Sequence, residues 1–312
     1  MKLNDLISQY IEFRQTMGLN SKSSANLLKH FGRSMGADLE VGDVRADLVK
    51  SYLDGEKPLT RSCERKYSAL RGLYSYAIRR GLASSSPLPP THPKYPASQR
   101  PHIYSLEELR RLLDATDSFR GRKCLIEPET MRTLIILLYG AGLRISEALA
   151  LNQGDVDLAA AVLTIRETKF YKTRLVPISM ELSQALASYR SGRLHPTSSD
   201  HPFFTGKTGA RLVYITVNQA FRDLRSNAAV SRDDNASYQP RIHDLRHTFA
   251  VHRLVSWYQS GADVQKLLPH LSTYLGHAHL RYTQIYLTMT PELLEAASGR
   301  FAEYVFKEVA DD

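Results

Sequence analysis

The feature that most constrains this 312-residue chain is a proline-rich stretch between Ser84 and His102. The stretch holds six prolines and no acidic residue. Proline fixes its own φ angle and lacks the amide proton that helices need, so a stretch this rich in proline favours an extended spacer. We therefore predict a linker over residues 84–103. It separates an N-terminal domain, residues 1–83, from a larger domain, residues 104–312, and both are long enough to bury a core.

The N-terminal domain is predicted to be a set of short helices, because apolar residues recur there at helical spacing. The longest helix is predicted within residues 59–82. Its apolar stripe consists of Tyr67, Leu70, Leu73, Tyr74 and Ala77.

Cationic side chains crowd the rest of that longest helix. For any one of them a solvated surface is the simpler interpretation, but a row of cations on a helix that fits a major groove is typical of DNA binding. The candidates for DNA contact in this domain are Arg65, Lys66, Arg71, Arg79 and Arg80.

The larger domain is predicted to be mainly α-helical with one small antiparallel sheet. Ser105 and Glu108 have the spacing of a capping box, which marks the start of a helix. Two β-rich runs, 162–166 and 174–178, flank a polar turn and predict a hairpin. Residues 291–309 carry an amphipathic pattern that predicts a C-terminal helix.

The chain is basic, since 41 Lys and Arg against 32 Asp and Glu give a net charge of +9. Such an excess concentrates polyanions, nucleic acid first and anionic membranes second. No run approaches the roughly 18 apolar residues of a membrane span, and the first ten residues are too polar for an export signal. Cys63 and Cys124 are too few for a disulfide framework or a four-ligand zinc site. We therefore expect a cytoplasmic protein with no membrane partner.

Arg144 lies in the apolar segment Leu137–Leu151, which Gly140 and Gly142 interrupt. A buried arginine is costly unless an anion meets it. Glu147, three residues on, would share a helical face with Arg144 and could be that anion. Taken alone, this segment fits a structural ion pair as well as it fits an anion-binding site.

The segment Arg241–Leu254 holds two histidines around an arginine. His243 and Arg246 would share one face of a helix. His243 and His247 are four residues apart, which is also metal-ligand spacing. A zinc site is disfavoured because Asp244 replaces the glutamate of the HExxH motif, no third ligand is evident, and the arginine would repel a cation. We predict no metal.

The third segment, Leu275–Glu292, places His277 after a Leu-Gly helix stop and Tyr286 nine residues later. By itself Tyr286 would be an ordinary half-buried aromatic residue. What is rare is the whole series: Arg, then a lysine in a predicted hairpin, then His-x-x-Arg, Gly-His and Tyr, in that order.

This series resembles the motifs of the tyrosine recombinases, the phage-integrase and Xer-type family. The family's first arginine motif is similar to "GLRISEALAL", its His-x-x-Arg motif to "HDLRHTFA", and its last motif to "LGHAHLRYTQIY". The likeness covers Leu106 to about Glu292. The N-terminal helices and the linker match only in architecture, as the smaller, core-binding half of a two-domain DNA clamp.

The resemblance implies a site-specific DNA recombinase that cleaves and rejoins DNA through a 3′-phosphotyrosyl intermediate, without metal, ATP or another cofactor. In the implied site the two arginines bind the phosphate, the two histidines hydrogen-bond to it, and His243 helps to take the proton of the nucleophile Tyr286. Glu147 would support the arginines. The implied catalytic residues are Arg144, Lys169, His243, Arg246, His277 and Tyr286.

The resemblance implies a lysine in the hairpin as the acid that protonates the leaving 5′ oxygen, and Lys169 is our choice. The family's turn usually reads Gly-Lys-Gly, whereas Phe170 and Tyr171 follow Lys169 here, so Lys172 stays an alternative. Lys172 and Arg174 are also candidates for DNA contact. The long spacing before the Leu-Gly-His element resembles the transposon-borne branch of the family.

The implied partner is double-stranded DNA that carries inverted-repeat sites, bound by a tetramer whose C-terminal helices pass between subunits. The sequence does not decide whether a partner recombinase or accessory factors are needed. It also does not decide among integration, excision, transposition and resolution. Two alternatives remain: a type IB topoisomerase, which resembles this site but joins no partner sites, and a DNA-binding regulator with a spent active site.

Overall fold

The computed structural model describes residues 1–19, 22–36, 38–55, 60–91, 100–118, 125–166, 173–192, 198–234, 236 and 238–288. The chain divides into two compact units, Met1–Ser98 and Gln99–Asp312. The division falls within the stretch predicted to be a linker.

The first unit is helical. Its helices are α1 (Leu3–Thr16), α2 (Lys22–Met35), α3 (Ala46–Asp54) and α4 (Arg61–Arg79). Their apolar faces enclose one core, in which Leu6, Phe31 and Leu73 are fully buried. The apolar stripe predicted for α4 is buried in this core. Thr60 begins α4 as its N-cap, since its hydroxyl accepts a hydrogen bond from the amide of Cys63.

The first part of the predicted linker packs onto the first unit. The Tyr67 hydroxyl donates a hydrogen bond to the carbonyl of Pro89 at 3.1 Å, and Leu88 packs against the core. Extended, proline-rich backbone has no internal hydrogen bonds, so its carbonyls are available to such donors. The first unit therefore reaches beyond residue 83.

The second unit combines helices with one sheet. It begins with α5 (Leu106–Asp117), which has the predicted capping box between Ser105 and Glu108. Next come α6 (Pro128–Ala141) and α7 (Ile145–Ala150), and then β1 (Val156–Asp157), β2 (Val162–Ile165) and β3 (Arg174–Pro177). In the described residues the three strands form one antiparallel sheet in the order β1-β2-β3. The predicted hairpin is present, with Val162 opposite Pro177 and Ile165 opposite Arg174.

After β3, the regular elements of the described residues as far as Thr288 are helices joined by loops. They are α8 (Met180–Ser191), α9 (Tyr214–Asn227), α10 (Asp244–Gln259), α11 (Val264–Leu275) and α12 (Arg281–Gln284), followed by a 3-10 turn, Ile285–Thr288. Helix α10 packs against α6 and α11. The buried residues Leu254, Leu271 and Tyr286 belong to one cluster that joins α10, α11 and the 3-10 turn. The predicted fold class, mainly α with a small antiparallel sheet, is confirmed.

The chain turns sharply just before Arg144, where the sequence suggested that Arg144 and Glu147 share a face of an interrupted helix. Helix α6 instead ends at Ala141, and Gly142 adopts a left-handed φ of +59°. Arg144 then stands at the N-cap of α7. A Cβ atom at Gly142 would lie 2.3 Å from a ring carbon of Phe249, so the turn requires glycine for its backbone angle and for its space.

Several predicted features lie outside the described residues. They are the hairpin turn with Lys169 and Lys172, Cys124, and the predicted C-terminal helix 291–309. Among the residues that are described, no helix has both the length and the apolar character needed to cross a bilayer. In the same part of the chain, no three His, Cys, Asp or Glu side chains are grouped as metal ligands would be.

Candidate active site

Three arginines meet at the C-terminal end of α11. The last carbonyls of a helix have no partner within the helix and lie at the negative end of its dipole, so they favour cationic donors. Arg174 Nε donates to the carbonyl of residue 274 at 3.1 Å, Arg246 Nη2 to that of 275 at 2.6 Å, and Arg144 Nη2 to that of 276 at 3.0 Å. The end of one helix thus orients three guanidiniums that come from three other elements.

Gly276 makes this assembly possible. It caps α11 with a left-handed φ of +66°. A Cβ atom at this position would lie 2.8 Å from Nη1 of Arg174. Glycine is therefore required both for the backbone turn and for the close approach of Arg174.

The carboxylate of Glu147 lies among the three guanidiniums and is only 8% exposed. Arg174 binds it with both terminal nitrogens, at 3.0 and 2.8 Å, and Arg144 Nη1 binds it at 2.7 Å. Arg246 Nη1 lies 3.9 Å away. Burial raises the pKa of Glu147, but the hydrogen bonds and charge of Arg174, followed by those of Arg144, bring it down to about 2. Three guanidiniums to one carboxylate leave an excess of positive charge that suits an anion.

Arg144 and Arg246 converge on a single atom, the carbonyl oxygen of Leu275, at 3.4 and 2.6 Å. Arg246 is only 2% exposed and also donates to the carbonyl of Gly142 at 2.7 Å. Burial and the nearby charge of Arg144 lower the pKa of Arg246 to about 10, so it remains a cation at neutral pH. These two carbonyl contacts use two of the five N–H donors of a guanidinium. The planar fork of a guanidinium is also able to bind a phosphate through two oxygens at once.

Tyr286 is buried beside the arginines, in the 3-10 turn that follows α12, and is 2% exposed. Its hydroxyl oxygen lies 3.1 Å from Nδ1 of His247, and its ring stacks on that of His277 at a centroid distance of 6.2 Å. Burial raises the pKa of Tyr286 above its usual value, although the charges of Arg246 and Arg144 act in the opposite direction. The phenol is therefore neutral in the free protein near pH 7.

The histidines of the site are neutral as well. His277 Nδ1 lies 2.8 Å from the Thr283 hydroxyl oxygen, and burial followed by the charges of Arg246 and Arg144 lowers the pKa of His277 to about 4. His243 precedes α10, and burial and then Arg246 lower its pKa. A neutral imidazole can donate one hydrogen bond and accept another, so both rings suit a bound phosphate.

The structure brings together most of the side chains that the resemblance implied to be catalytic. These are Arg144, His243, Arg246, His277 and Tyr286, with Glu147 at the arginines as expected. Lys169 lies outside the described residues. The sequence considered His247 only as a weak metal ligand and missed its place beside the phenol. The signal was its position one helical turn after His243, on the same face of the helix.

The side chains predicted to contact DNA differ in their exposure and in the groups that they bind within the protein. Arg174 was predicted to contact DNA; its guanidinium is 13% exposed and is bound by Glu147, so in this structure it supports the arginine cluster. Lys66 donates to the carbonyl of Tyr52 at 2.6 Å and lies over the Tyr52 ring, which ties its charge to the first unit.

The other predicted DNA-contacting cations, on α4 and at its C-cap Arg80, are on the surface. Arg65 is exposed and hydrogen-bonds to the hydroxyl of Ser23. Arg71 and Arg79 are exposed, and Arg80 is exposed while stacking on the ring of Tyr76. A polyanion can reach these four side chains.

A profile of the phage integrase family matches residues 104–292. The chain belongs to the phage integrase family. A protein of Sinorhizobium fredii, named as the integrase/recombinase y4rB, is 35% identical over 304 residues, which cover 94% of this chain and 95% of that protein. The tyrosine recombinase XerD of Rhizobium meliloti is 30% identical over 311 residues, which cover 94% of each chain. Family and relatives identify the chain as a tyrosine site-specific recombinase.

Solved structures agree with the fold. The Tn1549 transposon integrase in complex with a circular-intermediate DNA gives a TM-score of 0.69 at 17% identity, covering 95% of this chain and 99% of that chain. A lambda integrase tetramer bound to a Holliday junction gives 0.64 at 16% identity, covering 92% of this chain and 77% of that chain.

Proposed function

We propose that this tyrosine recombinase cleaves DNA with Tyr286 and holds the cut strand through a 3′-phosphotyrosyl bond. The observation that carries the proposal is the convergence of Arg144 and Arg246 on the Leu275 carbonyl, close to a buried tyrosine. A phosphodiester carries a negative charge that repels nucleophiles, and more charge gathers on its oxygens during attack. Fixed guanidiniums beside it offset that charge without rearranging at the moment of reaction.

The chemistry conserves the energy of the broken bond. The Tyr286 oxygen forms a bond to phosphorus, the bond from phosphorus to the 5′ oxygen breaks, and the phenolic proton leaves for a base. An acid delivers a proton to the 5′ oxygen. Rejoining reverses these steps with a 5′-hydroxyl as the nucleophile, so no ATP is consumed.

The remaining side chains assist the same phosphate. His243 and His277 hydrogen-bond to its oxygens. Lys169 protonates the 5′ oxygen, with Lys172 as the alternative. Glu147 holds the arginines in place without touching the DNA. The arginines supply the positive charge that a metal ion supplies in many nucleases, so the proposed site includes no metal.

The proposed substrate is double-stranded DNA with inverted-repeat sites. The net charge of +9 and the exposed cations Arg71 and Arg79 of α4 support it. A relative in fold was solved as a tetramer on a Holliday junction, which supports a tetramer here. Exchange of the predicted C-terminal helix 291–309 would link its subunits, and partner recombinases or accessory factors could join them. We place the protein in the cytoplasm, on nucleoid DNA, where it integrates, excises, transposes or resolves a mobile element.

A trapping experiment tests the proposal. Genomic DNA of the organism that carries the gene is fragmented, randomly nicked and incubated with the protein. A nick just 3′ of the cleavage point lets the short 5′-hydroxyl fragment diffuse away, which leaves a covalent adduct on a denaturing gel. Tyr286→Phe should abolish the adduct. The matched control Tyr282→Phe removes an exposed hydroxyl four residues away and should leave the adduct unchanged.

The same experiment separates the alternatives. Sequencing of the trapped DNA should return a defined repeat. Adducts spread over any supercoiled plasmid, together with relaxation of the plasmid, would favour a type IB topoisomerase. Binding without any adduct would favour a regulator whose active site is spent.

A further inference from the structure

Nδ1 of His247 lies 3.1 Å from the Tyr286 hydroxyl oxygen, within hydrogen-bond distance. Arg246 also interacts with this hydroxyl, but a guanidinium can only donate a hydrogen bond and cannot accept the phenolic proton. His243 instead meets His247, edge to face, at a ring-centroid distance of 5.1 Å. Within the described residues, His243 has no hydrogen bond to the phenol. The family resemblance gave the proton of Tyr286 to His243, but the geometry favours its neighbour one turn along α10.

We propose that His247 is a catalytic residue that accepts the phenolic proton of Tyr286 on Nδ1 as the tyrosine oxygen attacks phosphorus. The inference rests on the proposed function of Tyr286. In the cleavage step the O–H bond of Tyr286 breaks, an N–H bond forms at Nδ1, and His247 becomes an imidazolium. In the rejoining step the same proton returns to the tyrosine oxygen as it leaves phosphorus, so His247 ends each cycle neutral.

The surroundings of His247 keep the pair inactive until a phosphate arrives. Burial, followed by the nearby His243, lowers the pKa of His247 to about 4, and Arg246 and Arg241 act in the same direction while Asp244 opposes them. From other elements, Tyr286 and His277 face the ring. In the free protein the proton therefore stays on the phenol.

A bound phosphodiester would change that balance. Its negative charge would sit against the guanidiniums of Arg144 and Arg246 and offset the cations that disfavour an imidazolium. Proton transfer to His247 would then be favoured only in the DNA complex. A tyrosine that ionises only beside its target does not react elsewhere.

Two substitutions separate proton acceptance from simple positioning. His247→Asn places an amide oxygen near the position of Nδ1, so it can accept the same hydrogen bond from Tyr286 but cannot take the proton. His247→Ala removes the contact altogether. The rate of adduct formation is measured in single turnover, from pH 6 to pH 9, on a nicked duplex of the sequence trapped with wild-type protein.

We expect His247→Asn to lose about 10²- to 10⁴-fold in rate at pH 7, which is the usual contribution of a general base. Its rate should rise close to tenfold per pH unit, because hydroxide must then remove the proton, and the wild-type rate should rise less steeply. Added imidazole should partly restore His247→Ala. Trp257 fluorescence and a gel shift on the same duplex establish that the variants fold and bind DNA.

A substrate with sulfur in place of the leaving 5′ oxygen provides the second arm. A thiolate leaves without a proton, so variants that lack the acid should recover on it. Lys169→Ala or Lys172→Ala should recover, and His247→Asn should not. Recovery of His247→Asn on this substrate, or a wild-type rate and pH profile for His247→Asn on ordinary DNA, would overturn the inference.

A measurement that requires no substitution of His247 covers the case in which the His247 variants fail to fold. Nitrogen-15 NMR of the histidines at pH 7 should show a neutral ring whose unprotonated Nδ1 signal shifts in Tyr286→Phe. A protonated Nδ1 on that ring would also overturn the inference. If wild-type protein forms no adduct on any DNA, the proposed function itself fails. If it forms one that His247→Asn matches in rate, only the role of His247 fails.

Discussion

The carboxylate of Glu147 is the one anion that the structure places among three guanidiniums in the described part of the site, so Glu147→Gln is the sharpest perturbation of the cluster. The substitution keeps the size of the side chain and one acceptor oxygen, but it removes the charge. Arg144, Arg174 and Arg246 would then repel one another in a place that is largely closed to water. We expect the second unit to be destabilised.

The size of the effect follows from the pKa of Glu147. Folding lowers this pKa from an ordinary 4.5 to about 2, which corresponds to about 3 kcal/mol of stabilisation of the carboxylate. Breaking a buried ion pair typically costs about 3–5 kcal/mol, which agrees. For a unit of this size the midpoint of thermal unfolding should fall by roughly 6–12 °C.

The pH dependence has a definite sign. Folding lowers the pKa of Glu147, so the stabilisation is fully present above about pH 4.5 and is lost as the pH falls through the folded value of about 2. The difference between wild type and Glu147→Gln should therefore be about 3 kcal/mol at pH 7 and fall to about half of that at pH 3.

Urea unfolding followed by the fluorescence of Trp257 measures this difference. Trp257 is the sole tryptophan of the chain and lies in α10, within the second unit. The matched control is Glu107→Gln. The Glu107 side chain is 70% exposed, and its one ion pair in the described residues, with Arg110, is long at 3.8 Å and lies in solvent. That control should change stability by less than about 0.5 kcal/mol. If Glu147→Gln unfolds at the same urea concentration as Glu107→Gln at pH 7, the electrostatic reasoning is refuted.

Three further predictions concern the same cluster. Gly276→Ala should lower both the stability of the protein and the rate of adduct formation, because the added Cβ displaces the guanidinium of Arg174. The control Gly261→Ala also has a left-handed φ, +72°, but open space around it, so it should cost only about 1 kcal/mol of stability. Urea unfolding and the trapping assay compare the two variants. The stability of the wild-type protein should fall as the pH drops from about 6.5 to 4, because folding lowers the pKa of His277 to about 4. His277→Asn should make stability depend less on pH over this range. Urea titrations that give the same slope of stability against pH for both proteins would contradict the prediction. Arg246→Lys keeps the charge but loses the planar fork, so adduct formation should drop about 10²- to 10³-fold while DNA binding in a gel shift changes little, and a near-normal cleavage rate would count against bidentate binding.

Local rules were enough to predict much of the fold. The capping box at Ser105, the apolar stripe of α4 and the β2–β3 hairpin all follow from spacing that acts over a few residues. The identities of the site residues came from the order of the motifs along the chain, which is a matter of resemblance.

What the sequence did not reveal depends on contacts between distant segments. Nothing in the pattern around Arg174 indicates that Glu147, 27 residues earlier, will bind it. Nor does any local rule predict that the end of α11 will orient guanidiniums from three other elements, because backbone carbonyls carry no sequence signature. The sequence predicted an interruption at Gly142, but it did not reveal the close approach of the Phe249 ring, which only the tertiary fold places there.

The central claim is that one backbone phosphate is held by both Arg144 and Arg246 with the Tyr286 oxygen behind it. A crystal structure of Tyr286→Phe bound to its uncleaved, trapped DNA sequence tests this most directly. We predict that non-bridging oxygens of one phosphate lie within hydrogen-bond distance of both guanidiniums, with the edge of the substituted phenyl ring facing phosphorus opposite the 5′ oxygen. Guanidiniums bound to different phosphates, or turned away from the DNA, would contradict the account.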